Sequence, residues 1–227
     1  MATSRELKGL LRALLARRPD LAFIGRTLFF QPFTHYLRGV EFTTSRFLSA
    51  SQGFSFAHQL YNGQDSVNFR GGPGQHKYMM RLDWKDNLER AAEELCEEME
   101  RHALPPVEPI VDYLEHQKVP EYIGGIDARA PIRVFVAALG DCTVGSFDDA
   151  ESRLTEFERY LPEYSASAAT EEHHYHGYPL WRMAYLLRTL RQGHGQVLPL
   201  LHDWEAYGAK SMKLTKYWKP TPFPCEM

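Results

Sequence analysis

The sequence predicts an α+β protein: an N-terminal helix and antiparallel β-meander, followed by a mostly helical C-terminal half. Short apolar and aromatic runs broken by Gly, Asn and Pro extend to about residue 83, and such runs are typical of strands and turns. Beyond that point nearly every segment carries apolar residues at helical spacing. The 227 residues, 44% of them hydrophobic, can bury a sizeable core. We predict that residues 1–120 hold the helix, the meander and its backing helices, and that residues 121–227 form a helical half packed on the first as one unit.

The chain begins with a predicted helix that Ser4 caps and Pro19 ends. Its apolar face is made of leucines at i, i+3, i+4, i+7 and i+8, namely Leu7, Leu10, Leu11, Leu14 and Leu15.

Four strands are predicted next, at residues 28–33, 36–47, 54–61 and 78–82, because these runs are rich in aromatic residues and Thr. Alternation in the third run predicts one buried face. Pro32 cannot donate to a ladder, so the first strand is expected to be an edge strand or to carry a bulge.

A long helix is predicted from a cap at Asp83, with Leu88, Leu95 and Met99 on its apolar face. The Leu104-Pro105-Pro106 step ends it, because a residue before proline avoids the helical region. A second helix is predicted at residues 107–118.

Residues 131–139 fit either a buried strand or a helix, and we favour the helix from context and length. Amphipathic helices are predicted at residues 147–161 and 180–190, and a final helix carries Leu198, Leu201 and Trp204. The proline-rich tail, residues 219–227, is expected to be extended or disordered.

Charge, hydropathy and cysteine content limit the classes of function that fit this sequence. The net charge of −3 argues against a general polyanion binder, so nucleic acid is an unlikely partner. The charge is nevertheless arranged in blocks, basic at both ends and acidic at residues 89–100, which can meet inside the fold or face a partner. No apolar run is long enough to cross a membrane and no signal peptide opens the chain, so we expect a cytoplasmic protein with no membrane partner. Its three widely spaced cysteines are expected to be reduced thiols.

A histidine-rich segment is the densest candidate for metal binding. Glu172, His173, His174 and His176 combine imidazoles with a carboxylate, a ligand set that suits zinc or another divalent ion. Their spacing does not match a framework such as H-E-x-x-H, and a solvated loop before a helix is the simpler interpretation. We therefore predict no cofactor, with a divalent metal such as zinc as the alternative.

The predicted meander supplies the candidates for acid–base chemistry. His58 shares a strand face with apolar residues, which is typical of a core histidine. The alternative is a pocket in which His35 and His58 act together with Glu41 or Arg38, since imidazole titrates near neutral pH.

Residues 34–42 contain an H-x-L-R-G-x-x-F pattern formed by His35, Leu37, Arg38, Gly39 and Phe42. With Arg46 and the strand at 54–61, this stretch resembles the opening of a bacterial family of hypothetical proteins over about residues 27–120. The resemblance implies a bacterial cytoplasmic accessory or immunity-type protein and no settled activity.

The leading hypothesis is a non-enzymatic protein–protein interaction protein that binds a protein partner or a second copy of itself. It depends on the absence of G-x-S-x-G, G-x-G-x-x-G and Zn-type Cys motifs, and on abundant Tyr, Trp and Arg, which anchor interfaces. The alternative is a small metal-assisted hydrolase that uses the histidines named above.

Overall fold

The computed structural model describes residues 3–44, 51–62, 78–80, 87–118, 131–158 and 179–227. Its elements confirm the predicted α+β class, with an N-terminal helix, an antiparallel sheet and a mostly helical C-terminal half. The chain divides into two compact units, Met1–His58 with Asn68–Tyr122 and Gln59–Val67 with Ile123–Met227. The segment 59–67 thus belongs with the C-terminal residues, and the packing of the halves as one unit stays a prediction.

The first unit begins with α1 (Ser4–Leu10) and α2 (Arg12–Arg17), which Leu11 separates. Three of the predicted core leucines, Leu7, Leu11 and Leu14, are fully buried.

The cap of α1 is Thr3, so the prediction of Ser4 as the cap was wrong. The Glu6 N–H donates to Thr3 Oγ1 at 3.2 Å, and the Thr3 N–H donates to Glu6 Oε2 at 2.6 Å. This reciprocal capping box satisfies donors that the start of a helix leaves unpaired. The Ser4 hydroxyl instead donates to the Gly25 carbonyl.

A sheet follows, with its strands in chain order. Antiparallel pairing joins the first strand to the second, the second to the third, and the fourth to the fifth. The strands are β1 (Leu21–Ile24), β2 (Thr27–Phe30), β3 (Tyr36–Thr44), β4 (Ser51–Gln59) and β5 (Tyr78–Met80).

The sequence prediction missed β1. This strand is only four residues long and is joined to β2 by the two-residue loop Gly25-Arg26, in which Gly25 adopts a positive φ of 61°. Glycine at the first loop position suits the tight hairpin turns that match strand twist. Because β1 takes the sheet edge, β2 is an interior strand, and it ends at Phe30 before Pro32. Of the two alternatives predicted for this strand, an edge position or a bulge at Pro32, the edge position was therefore wrong.

Both faces of β4 are buried, contrary to the single buried face that alternation predicted. Phe56 and His58 are buried on one side, and Ser55 and Ala57 are buried on the other. The Ser55 hydroxyl donates to the Ala103 carbonyl at 2.7 Å, so a partner from another segment compensates the burial of this polar residue.

The long helix is α3 (Leu88–Glu98), capped by Asn87 and continued by a π-helical turn at Met99–Ala103. It ends before the proline pair, as predicted. The predicted cap Asp83 lies outside the described residues. Leu88, placed on the apolar face by the sequence, is 65% exposed and lies in the first turn of the helix.

The helix predicted at residues 107–118 is much shorter in the structure. Only α4 (Tyr113–Gln117) forms, with the Asp112 side chain accepting from the Glu115 N–H at 2.9 Å. Pro109 explains the difference, since it has no N–H and drives the residue before it away from helical geometry.

In its described residues, the second unit consists of helices and short 3₁₀ turns. Residues 131–139 lie within a helix, which confirms the favoured prediction. The helices are α5 (Pro131–Thr143), α6 (Phe147–Thr155), α7 (Pro179–Gln192) and α8 (Val197–Ser211), and the 3₁₀ turns are Leu60–Asn62, His194–Gln196 and Pro224–Glu226. None of the helices in the described part of the chain is long and apolar enough to cross a lipid bilayer.

The core of the second unit is centred on Trp204 of α8, whose ring meets Phe135 of α5 edge-on at 6.2 Å between centroids. The proline-rich tail packs against this unit, and its Phe223 is fully buried with an extended backbone. Of the two predicted alternatives, extended or disordered, disorder was therefore wrong. A single large aromatic side chain supplies the buried surface that holds the segment.

Candidate functional site

The tail, residues 219–227, is seated in an aromatic socket of the second unit. The Phe223 ring meets Tyr61 edge-on at 5.6 Å and stacks on the His202 ring at 4.3 Å with an interplanar angle of 23°. Tyr61 comes from the 3₁₀ turn after β4 and His202 from α8. We call this arrangement of Tyr61 and His202 around the buried ring the Phe223 socket.

His202 lies between two carboxylates. Its Nδ1 is 3.2 Å from Glu205 Oε2, and its Nε2 is 2.9 Å from Glu226 Oε2. The hydrogen bonds to Glu205 and Glu226, with their negative charges, raise the pKa of His202 to about 9 against the opposing effect of burial. The imidazole is therefore protonated at neutral pH, and both ring nitrogens donate.

The two carboxylates differ in setting. Glu205 is fully buried one helical turn after His202, whereas Glu226 belongs to the tail. The Glu226 carboxylate also accepts the Phe223 N–H at 2.7 Å, which closes the turn at Pro224–Glu226. One tail carboxylate thus both shapes the tail and binds it to α8.

A second contact holds the tail to α5. The Cys225 thiol lies 3.6 Å from the Cys142 carbonyl oxygen, and a Cβ added at Gly145 would lie 3.2 Å from the Cβ of Cys225. Cys142 is fully buried, and burial raises its pKa to about 12. A thiol that is protonated at neutral pH is a poor nucleophile, which favours the interpretation of Cys142 as a packed residue.

Beside the socket, an open groove of about 490 Å³ runs between α8 and the tail. Its lining residues are His202, Asp203, Ala206, Trp218, Pro220, Thr221, Pro222 and Glu226. The Trp218 Nε1–H is shielded from solvent and has no hydrogen-bond acceptor in the described part of the chain. The groove therefore combines apolar walls with acidic groups and one protonated imidazole.

The acid–base candidates of the meander are placed on both sides of the sheet. Arg38 and Glu41 are three residues apart on β3 and so point to opposite faces. Arg38 contacts the ring of Phe30, while Glu41 accepts a hydrogen bond from the Thr27 hydroxyl. Burial raises the pKa of Glu41, and the Thr27 hydrogen bond and nearby Arg26 oppose the rise. An acid–base set on one face can include only one of Arg38 and Glu41.

Both candidate histidines of the meander are buried, His35 just before β3 and His58 on β4. A further buried histidine, His116 of α4, packs against Tyr36 at 5.3 Å. Burial lowers the pKa of His116 to about 4, so it is neutral at neutral pH. A catalytic role for His35 or His58 stays a prediction.

The candidate metal ligands Glu172, His173, His174 and His176 lie outside the described residues. Within the residues that the structure describes, no group of three His, Cys, Asp or Glu side chains is arranged to hold a metal ion.

Sequence reasoning missed the position of His202 between the carboxylates of Glu205 and Glu226. His202 and Glu205 are spaced i, i+3 on a predicted helix, a spacing that places two side chains on one face. Glu226 gave no such signal, because its segment carries prolines and no periodic pattern.

The chain matches no protein-family model, no curated protein and no solved structure in the three comparisons. The resemblance of residues 27–120 to a bacterial hypothetical-protein family therefore stays a prediction.

Proposed function

We propose that this chain is a non-enzymatic cytoplasmic interaction protein, of the accessory or immunity-like type, that binds an extended segment of a protein partner in its second unit. The observation that carries this proposal is the tail itself, with Phe223 buried in the Phe223 socket and Glu226 bound to His202. The partner segment would have the same chemistry: an aromatic residue flanked by prolines, followed three positions later by a carboxylate.

The tail has the features of a peptide ligand. Prolines at 220, 222 and 224 restrict the unbound segment, so less conformational entropy is lost when it docks. A buried aromatic residue supplies the affinity, and a charged pair at a fixed distance from it supplies the register. These are the elements by which binding domains recognise extended peptides.

The tail is also held weakly enough to exchange. Phe223 is its one fully buried side chain among residues 219–227, and Met227 is 89% exposed. Burial of one Phe side chain is worth about 2–3 kcal/mol, which a competing segment can match. A partner segment of the same chemistry can therefore displace the tail.

The protonation state of His202 also favours binding over catalysis at this site. With its pKa raised to about 9, the imidazole has no free lone pair at neutral pH and cannot act as a general base. It is suited to hold a carboxylate through a charge-assisted hydrogen bond.

The test uses full-length protein and a labelled peptide with the sequence of residues 219–227, under reducing conditions. We expect Phe223→Ala protein to bind this peptide about tenfold more tightly than wild type, because its own tail no longer fills the socket. Met227→Ala protein, changed at an exposed tail position, should bind as wild type does. Fluorescence anisotropy gives the affinities.

A peptide in which alanine replaces the phenylalanine is the specificity control. Equal binding of both peptides to Phe223→Ala protein, or no binding of either, would contradict a peptide-binding socket. Native mass spectrometry of untagged protein purified without chelator addresses the alternative. A stoichiometric metal mass would favour the hydrolase, whereas a heteromer or dimer without metal agrees with the interaction proposal.

A further inference from the structure

We propose that Arg38 forms an oxyanion-binding site on one face of the sheet in the first unit, with a carboxylate or a phosphate group as its ligand. This site lies outside the Phe223 socket and does not depend on the proposed peptide binding.

Arg38 is held by an aromatic ring and not by a counter-ion. Its guanidinium carbon lies 5.0 Å from the centroid of the Phe30 ring. Phe30 ends β2, which pairs with β3, and Thr27 of the same strand is opposite Glu41. This register brings Phe30 beside Arg38 on the same face of the sheet. This cation–π contact holds the guanidinium against the ring and restricts the positions it can take.

The donors of Arg38 have no acceptors among the residues that the structure describes. Across the described residues, Arg38 forms no hydrogen bond and no ion pair, and its Nε is shielded from solvent without a partner. Only Nε of this side chain is both buried and unpaired, so the terminal nitrogens of the fork reach solvent. An arriving oxyanion would meet these two nitrogens.

The neighbouring carboxylates are already bound by another arginine. Arg18 donates from Nε and Nη2 to Asp20 at 2.9 and 2.8 Å, and from Nη2 to Glu108 at 2.7 Å. Arg18 lies over the same Phe30 ring, at 5.8 Å. Both local acids are thus hydrogen-bonded to Arg18, and they act on Arg38 only through their longer-range electrostatic field.

Partial burial of the Arg38 guanidinium carries a desolvation cost that no paired anion offsets among the described residues. Desolvation lowers the pKa of Arg38, and the fields of Glu108 and Asp20 oppose the decrease without reversing it. Arginine nevertheless stays charged at neutral pH, so the cost is relieved by a ligand and not by proton loss.

The chemistry of the ligand follows from the donor. A planar guanidinium whose two terminal nitrogens reach solvent matches the paired oxygens of a carboxylate or a phosphate. The formal charges of the local side chains sum to zero, from Arg18, Arg38, Asp20 and Glu108. Binding would therefore depend on the geometry of the guanidinium nitrogens and not on a net electrostatic attraction. We therefore expect dissociation constants in the millimolar range.

The test measures side-chain arginine Nε–H signals by NMR during separate titrations with sodium phosphate and sodium acetate at constant ionic strength. We expect the Arg38 signal to shift and saturate, while the signal of Arg12, an exposed arginine of α2, does not follow the same curve. Saturation by both salts indicates a general oxyanion site. Saturation by one alone identifies phosphate or carboxylate as the ligand source. If the chemical shift of the Arg38 signal changed only linearly, without saturation, up to about 50 mM of both salts, the proposal would be overturned.

Variants provide a second readout that does not need the Arg38 signal. Phosphate stabilises many proteins through preferential exclusion, so the relevant quantity is the gain in Tm over chloride at equal ionic strength. We expect Arg12→Gln to show the same gain in Tm as the wild type. Arg38→Gln should lose the part of the gain that comes from phosphate binding at Arg38, and Arg38→Lys should keep less than half of that part. An identical gain in all three variants would also overturn the proposal.

Discussion

Gly39 shows how a single position in the H-x-L-R-G-x-x-F stretch is fixed by packing. A Cβ at Gly39 would lie 2.7 Å from Phe29 Cα and closer still to the Leu28 carbonyl oxygen. These are backbone atoms of the paired strand β2, which cannot rotate away as a side chain can. We expect Gly39→Ala to lower the free energy of unfolding by at least about 3 kcal/mol, measured by urea unfolding.

Gly9 is the matched control for this substitution. It lies within α1, and a Cβ there would meet no atom within 4 Å. Gly9→Ala should therefore stabilise the protein by about 0.5–1 kcal/mol, because alanine loses less backbone entropy in a helix. A Gly39→Ala protein with the urea midpoint of the wild type would contradict the backbone clash.

Individual residues also show where sequence reasoning stops. The alternation in residues 54–61 gave the strand but not its second buried face, because the partner of Ser55 is the Ala103 carbonyl, 48 residues away. The burial of His58 agrees with a core histidine, as its apolar strand face indicated. Contacts between distant segments carry no signal in a local pattern.

At the scale of the element, the Thr3 cap makes a direct prediction. Thr3 and Glu6 satisfy each other's backbone donors at the start of α1. Thr3→Ala removes the side-chain acceptor and should cost about 1 kcal/mol of stability, whereas Thr3→Ser keeps it and should cost much less. Thermal unfolding of the two variants side by side checks this. Equal destabilisation by both would mean that the methyl group, and not the hydroxyl, stabilises the helix.

The sequence predicted the longer elements best. Helices α3, α5, α6, α7 and α8 carry apolar residues at helical spacing over several turns, and each was expected. The four-residue strand β1 was missed because its run is too short for a periodic signal. The helix predicted at 107–118 forms only at Tyr113–Gln117, because Pro109 lacks the N–H that a helix interior needs.

At the scale of the whole molecule, part of the charge pattern is explained within the first unit. Arg17 of the basic N-terminal block pairs with Glu100 of the acidic block at 3.1 Å. Other acids of α3 pair within their own helix, Glu94 with Arg90 and Glu97 with Arg101. Exposed pairs of this kind contribute little to stability, so the blocks do not by themselves indicate a charged partner.

The candidate site was the part least predictable from sequence. The Phe223 socket joins Tyr61, His202 and Phe223, which are 141 and 21 residues apart along the chain. The tail was expected to be extended or disordered, because terminal residues are poorly ordered unless they are held by packing. The buried ring of Phe223 and the carboxylate of Glu226 instead hold the tail against the second unit. Neither residue belongs to a periodic pattern from which its contacts could be predicted.

Two histidines give the two units opposite responses to pH. His116 in the first unit has its pKa lowered from 6.5 to about 4, so the unfolded chain binds the extra proton more readily. The stability of the first unit should therefore fall as pH decreases from about 6.5 to about 4, by up to about 3 kcal/mol. His202 in the second unit has its pKa raised from 6.5 to about 9. Its stabilisation is complete below pH 6.5 and is lost as pH rises through about 9.

The alkaline effect is the smaller one. The His202 side chain is 34% exposed, and solvent screening limits its contribution to about 1 kcal/mol. Urea unfolding followed by NMR signals from each unit at pH 5, 7 and 9.5 separates the two responses. His116→Phe keeps a ring against Tyr36 and should remove the loss of stability at acid pH in the first unit alone. His202→Gln should remove the loss of stability at alkaline pH in the second unit. If His116→Phe kept the full acid loss, another group would be responsible, and His116 would not be the residue that titrates on unfolding.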